Sequence, residues 1–247
     1  MDKLLYVAMS GAKQNMNALA VRANNLANAN TDGFKADLAQ ARSMQAFGEG
    51  LPTRVFSMTE SPGHNFSSGP IKTTGRDLDI AIKDQGWIAV QSGDGGEAYT
   101  RSGSLSFDST GLLTNGRGNP VMGEAGPIVL PLPIDKVQIS PDGIISVRPQ
   151  GATADVIEEV ARIKLVNPDN QEMMRGEDGL FRLTSGLNAP NDPNIQVETG
   201  AVEGSNVNAV SEMVALIDIQ RQYEMQVKMM KNAEDLDKAS SSLMRVS

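Results

Sequence analysis

Proline and glycine are confined to the middle of this chain. All twelve prolines lie between Pro52 and Pro193, and of 24 glycines only Gly11 precedes Gly33 and none follows Gly204. Proline removes a helical hydrogen bond and glycine is entropically costly in a helix, so two long helix-compatible segments bracket a turn-rich middle. Each end must bury its apolar stripe against something, and the surfaces at hand are the other end and then neighbouring copies. The expected architecture is α+β: long N- and C-terminal helices forming a coiled coil, bracketing a mainly β middle domain built as a small barrel or folded sheet. The expected boundaries are an N-terminal helix over 1–33, a connector and extended segment over 34–74, a β-rich domain over 75–184, a return connector over 185–204 and a C-terminal helix over 205–247.

The N-terminal segment places Leu5, Met9, Ala12, Met16, Leu19, Ala23 and Leu26 at alternating steps of four and three, a heptad seam. Several of these are small or flexible, so the seam permits close helix approach but binds weakly alone. Asn30-Thr31-Asp32-Gly33 reads as the helix stop, at about residue 31, with Phe34 as the apolar contact beyond it. Asn24 and Asn28 share a helical face, where their amides can hydrogen-bond across an interface and set register. At the other end Met213, Leu216, Gln220, Tyr223, Val227 and Met230 keep the same rhythm, and Ala233, Leu236, Ser240 and Leu243 resume it after a three-residue skip. Val210, Val214 and Ile217 widen that stripe, which implies more than one neighbour. Ser205 or Asn206 is the expected N-cap. One helix over 207–244 spans about 57 Å, longer than a small domain is wide.

From about Thr53 to Leu183, short β-prone runs such as Ile80-Ala81-Ile82, Trp87-Ile88-Ala89-Val90 and Ile144-Ile145-Ser146-Val147 alternate with turns such as Asn115-Gly116 and Pro141-Asp142-Gly143. Val156-Ile157 with Ala161 to Val166 reads as one further strand, and 185–204 as a polar connector.

Composition narrows the function classes. A net charge of −8 repels a polyphosphate backbone, so nucleic acid is not an expected partner. The chain has no cysteine, and polar residues interrupt its first turns too early for a cleavable export signal. No run reaches the length of a membrane span. His64, the only histidine, sits in a Pro/Gly/Ser-rich loop and reads as an exposed loop residue, not a metal ligand. Asp77 and Asp79 share a face of an extended stretch and read as structural, although paired carboxylates in a pocket would suit hydrolysis. Gly116-Arg117-Gly118 is a turn, and Trp87 a core strand residue. No metal or cofactor is expected.

With these segments in view, the chain resembles the bacterial flagellar rod and hook family. Four stretches carry the likeness: Ser10-Gly11 through Ala23-Asn24-Asn25-Leu26-Ala27-Asn28 with Thr31-Asp32-Gly33-Phe34-Lys35; Thr74-Gly75-Arg76-Asp77-Leu78-Asp79-Ile80-Ala81-Ile82; Tyr99-Thr100-Arg101-Ser102-Gly103 with Asp108 to Gly111 and Leu113-Thr114; and Gly204-Ser205-Asn206-Val207-Asn208 with Glu212-Met213-Val214 and Gln220-Arg221-Gln222-Tyr223-Glu224. The opening residues, the form of the Gly204 to Asn208 stretch and the short middle favour a proximal rod member over the distal rod or hook-type members. The resemblance implies a structural, non-enzymatic subunit that assembles helically with other rod proteins and copies of itself. It also implies export by the flagellar type III apparatus without a cleaved signal, and a place in the rod crossing the periplasm. The terminal seams, with Asn206 at the root of the second helix, are then the assembly interface. A β-domain hydrolase of cell-wall glycan built on Asp77 and Asp79 is the alternative from another class.

Overall fold

The computed structural model describes residues 2–45, 55–60, 63–151, 153 and 157–245. The chain divides into two compact units. Unit 1 comprises residues 1–29, 36–65 and 207–247; unit 2 comprises 30–35 and 66–206.

Unit 1 contains helix α1 (Asp2–Ala27) and helix α2 (Ala209–Arg245). An antiparallel hairpin of Gln40–Gln45 and Val55–Glu60 completes it, within the stretch expected to be a connector and extended segment. The second strand of that hairpin packs along α1. Helix α1 ends at Ala27 and passes through hydrogen-bonded turns to Asn30, slightly before the expected stop. Helix α2 is capped by Asn208, not by Ser205 or Asn206. The Asn208 side-chain oxygen accepts from the Val210 and Ser211 amides at 3.0 and 3.1 Å, satisfying two donors that have no partner inside the helix.

The expected long coiled coil is not what forms. The two helices lie side by side and antiparallel, with Asn15 of α1 bonded to Gln226 and Arg22 paired with Glu212. The face that α1 turns inward carries Ala8, Gly11, Ala12, Asn15, Ala18, Arg22 and Asn25. Small and polar side chains cannot act as the interlocking apolar knobs of a coiled coil. They permit close backbone approach instead: a Cβ on Gly11 would sit 2.7 Å from the Gln226 side-chain nitrogen.

The middle is not a single barrel either. Unit 2 is built on a five-stranded antiparallel sheet in the order Leu165–Val166, Trp87–Gln91, Glu97–Thr100, Phe181–Leu183, Met173–Arg175. A three-stranded sheet (Ile134–Ile139, Ile144–Pro149, Glu158–Arg162) and several two-stranded ladders accompany it. Period-two alternation sorts the five-stranded sheet's side chains onto two buried faces. Ile88, Val90, Ala98 and Leu165 join a large aliphatic core with Leu105, Leu113, Ile145 and Ile163. Trp87, Ala89, Tyr99, Val166 and Phe181 form a smaller, aromatic core on the other face. Trp87 therefore points away from Ile88 and Val90, and its ring meets Phe181 at 4.7 Å and Phe66 at 5.9 Å.

Two strand readings change. The segment read as one strand through Val166 breaks at Ile163-Lys164, so Glu158–Arg162 and Leu165–Val166 belong to different sheets, and Val156 lies outside the described residues. The polar stretch 185–204 contributes two strands. Val197–Thr199 pairs with Ile80–Ile82 and Ala201–Glu203 pairs with Ile71–Thr73, with Gly200 at φ +72° between them.

Candidate assembly surfaces

The helices of unit 1 each present two faces. On α2 the inward face runs through Glu212, Leu216, Ile219, Tyr223, Gln226, Met230 and Ala233, all buried or half-buried. Leu216, Tyr223 and Met230 of the expected seam fall on it. Gln220 is exposed, and so are Val210 (70%), Met213, Val227 and Leu236 (60%), together with Val214 and Ile217 of the second apolar line. On α1 the expected seam lies one residue away from the inward face, a rotation of about 100°. Only Ala12 of it is buried and Leu26 half-buried, whereas Met9 (50%), Met16 (60%), Leu19 and Ala23 are exposed. Leu5 lies within α1, with its side chain outside the described residues. Asn24 is exposed, and the half-buried Asn28 donates back to its carbonyl at 2.9 Å. Asn206 is half-buried in unit 2, where its amide donates to the Ser67 carbonyl at 3.0 Å.

Two polar groups of the inward faces are deeply buried, Glu212 and Asn25. Arg22 donates to one oxygen of the buried Glu212 at 2.9 Å, while the other oxygen has no hydrogen-bond partner. Asn25, fully buried and absent from the expected set, bonds the backbone of Asp37 twice: its amide donates to the carbonyl and its oxygen accepts from the N–H, both at 2.9 Å. Asp37 in turn holds His64 at 2.7 Å, so His64 is half-buried in a pair and not a free loop residue.

Unit 2 holds a buried ionic cluster that no sequence pattern flagged. Glu203 accepts from Lys35 at 2.7 Å and Arg101 at 2.9 Å, and all three side chains are nearly inaccessible. Burial holds the Lys35 ammonium and the Arg101 guanidinium below their ordinary pKa values, with Glu203 pulling each back up. The Arg101 guanidinium also lies 5.6 Å from the Trp87 ring centre. Asp77 and Asp79 do not share a face: they sit on a turn closed by the Asp79 N–H to Arg76 carbonyl bond at 3.1 Å. Asp79 is buried and accepts from Thr74 at 2.6 Å, while Asp77 is exposed beside an open groove of about 560 Å³. One carboxylate is therefore buried and the other faces solvent, which differs from the expected shared face. Among the described residues no helix is long and apolar enough to cross a membrane.

Comparison with known proteins agrees with this layout. Residues 5–35 match the family model for flagella basal body rod proteins, residues 81–147 the D1 domain of flagellar hook proteins FlgE/F/G, and residues 198–243 the C-terminal region of flagellar basal body rod FlgEFG proteins. The flagellar basal-body rod protein FlgF of Escherichia coli K12 is 42% identical over all of both chains. FlgF of Salmonella typhimurium LT2 is 39% identical over the same full span, and FlgF of Caulobacter vibrioides CB 15 is 37% identical over 97% of each chain.

Proposed function

Because the chain belongs to the FlgF family of flagellar basal-body rod proteins, and so is a structural subunit of the flagellar rod that assembles with other rod proteins in the basal body, we propose that the outward apolar rows of its terminal helices are the surfaces through which it does so. The row on α1 is Met9, Met16, Leu19 and Ala23; the row on α2 is Val210, Met213, Val214, Ile217, Val227 and Leu236. One observation carries this reading: both rows lie exposed on the protomer, on faces other than those through which the two helices pack on each other. Water-facing apolar rows at helical spacing are an unfavourable arrangement unless another surface covers them. Contacts of this kind between different patches on successive subunits generate a helical array, which suits a shaft that transmits torque across the periplasm.

Family membership and the sequence support the remaining parts of the reading. The subunit reaches the rod through the flagellar type III export apparatus. It neither catalyses a reaction nor binds nucleic acid, its role being mechanical. Leu19→Asp and Val214→Asp test the surfaces. Both positions are exposed, so each variant should fold with unchanged circular dichroism. Incorporation into rods should fall by a hundredfold or more, since an unpaired charge buried in an interface costs about 3 kcal/mol. Normal rods and motility in a strain carrying both substitutions would refute it.

A further inference from the structure

In unit 2 three stretches of chain far apart in sequence converge on one carboxylate. Glu203 Oε1 accepts from Lys35 Nζ at 2.7 Å and from the Gly69 N–H at 2.8 Å, and Glu203 Oε2 accepts from Arg101 at 2.9 Å. The cations are themselves tied to backbone: Lys35 to the Ser67 carbonyl at 2.9 Å and Arg101 to the Asp84 carbonyl at 2.8 Å. Main-chain bonds close the same junction. The Gly33 N–H donates to the Glu203 carbonyl at 2.7 Å, the Gly204 N–H to the Pro70 carbonyl at 2.8 Å, and the Asn206 N–H to the Phe34 carbonyl at 3.3 Å. There is no room for a side chain here: a Cβ on Gly33 would collide with the Arg101 backbone, and one on Gly69 with the Gly204 carbonyl. These stretches are the ones at which the chain leaves α1, leaves the hairpin and enters α2.

We infer that Glu203 anchors a buried ionic clasp, with Lys35, Arg101 and the Gly69 amide, that locks three stretches of unit 2, residues 33–35, 67–70 and 203–206, onto one another. The clasp is a positioning device. It holds residues 33–35, 67–70 and 203–206 together in whatever state the helices are, and it stands independently of which surfaces the helices use in assembly. The charge arithmetic explains why Glu203 is the anchor: one carboxylate serves two cations, so its loss leaves two like charges in a buried site, whereas loss of Lys35 leaves a balanced pair.

Amide hydrogen exchange on the full-length chain tests this, comparing wild type with Glu203→Gln and Lys35→Met. In Glu203→Gln the Gly33, Gly69 and Gly204 amides should exchange at least tenfold faster, with Val90 and Val121 in the sheet core unchanged. Lys35→Met should keep its fold and accelerate only the Gly33 and Asn206 amides. Uniform acceleration through unit 2 in either variant would make Glu203 an ordinary core group and overturn the clasp. Unchanged exchange at Gly33 and Asn206 in Lys35→Met would overturn it as well, and that variant decides should Glu203→Gln fail to fold.

Discussion

Tyr99 illustrates how a single buried polar group ties segments together. Its hydroxyl donates to Glu97 at 3.0 Å and accepts from the Ala189 N–H at 2.6 Å, with the ring in the aromatic core. Burial, assisted by Glu97, pushes its pKa up to about 12. The folded state therefore holds the phenolic proton more tightly than the unfolded chain, whose tyrosine titrates near 10. Stability from this group is complete below about pH 10 and is lost as pH rises toward 12. Thermal unfolding measured across that range should show a falling midpoint that flattens in Tyr99→Phe. That variant should also lose about 1–2 kcal/mol at neutral pH, because the Ala189 amide is left without its acceptor. Nothing around Tyr99 in the sequence announces this role, since its partner lies ninety residues away. Gly33 is the opposite case: its place after a run of asparagines reads as a left-handed turn, and it has φ +70°. The close approach of the Arg101 backbone, which makes glycine obligatory there, could not be read from the sequence.

At the scale of elements, helix existence was legible and helix orientation was not. Absence of proline and near-absence of glycine mark α1 and α2 plainly, and apolar periodicity marks their stripes. Which face turns inward was decided by pairs that periodicity ignores, Asn15 with Gln226 and Arg22 with Glu212. Removing Arg22 should be costly, because it leaves the buried Glu212 charge uncompensated. Arg22→Ala should destabilise the helix pair by about 1–3 kcal/mol, less than for a fully buried ion pair because Arg22 is partly exposed. Glu212→Gln should cost less, because it removes the charge together with its need for a partner. Chemical denaturation of both variants and of the double substitution checks this, and an equal loss in the two single variants would contradict it. The strands Val197–Thr199 and Ala201–Glu203 escaped notice for a related reason. They are short, rich in polar residues, and stable only because Ile80–Ile82 and Ile71–Thr73 lie beside them.

For the whole molecule, the two units differ in how they are held. Unit 2 has two buried cores on either face of one sheet, closed by ionic and aromatic contacts. In unit 1, α1 meets α2 through a face of small and polar side chains, and both helices leave apolar rows in water. A long helix with so little buried apolar area is marginal on its own. Before assembly, residues 5–26 and 207–244 should therefore exchange their amides orders of magnitude faster than the strands of unit 2. Slow exchange throughout both helices in a verified monomer would show that the protomer needs no partner to order its ends. What the residues determined unaided was the class of the chain: helical ends, a β-rich middle, and motif stretches spread over both ends and the middle. These rest on local propensity and short-range spacing, which do not depend on the rest of the chain. Only the tertiary structure decided which helix face turns inward, where the polar return segment pairs, and how Lys35, Arg101 and Glu203 meet. Each of these rests on contacts between residues scores of positions apart, whose energies depend on neighbours that folding alone brings together.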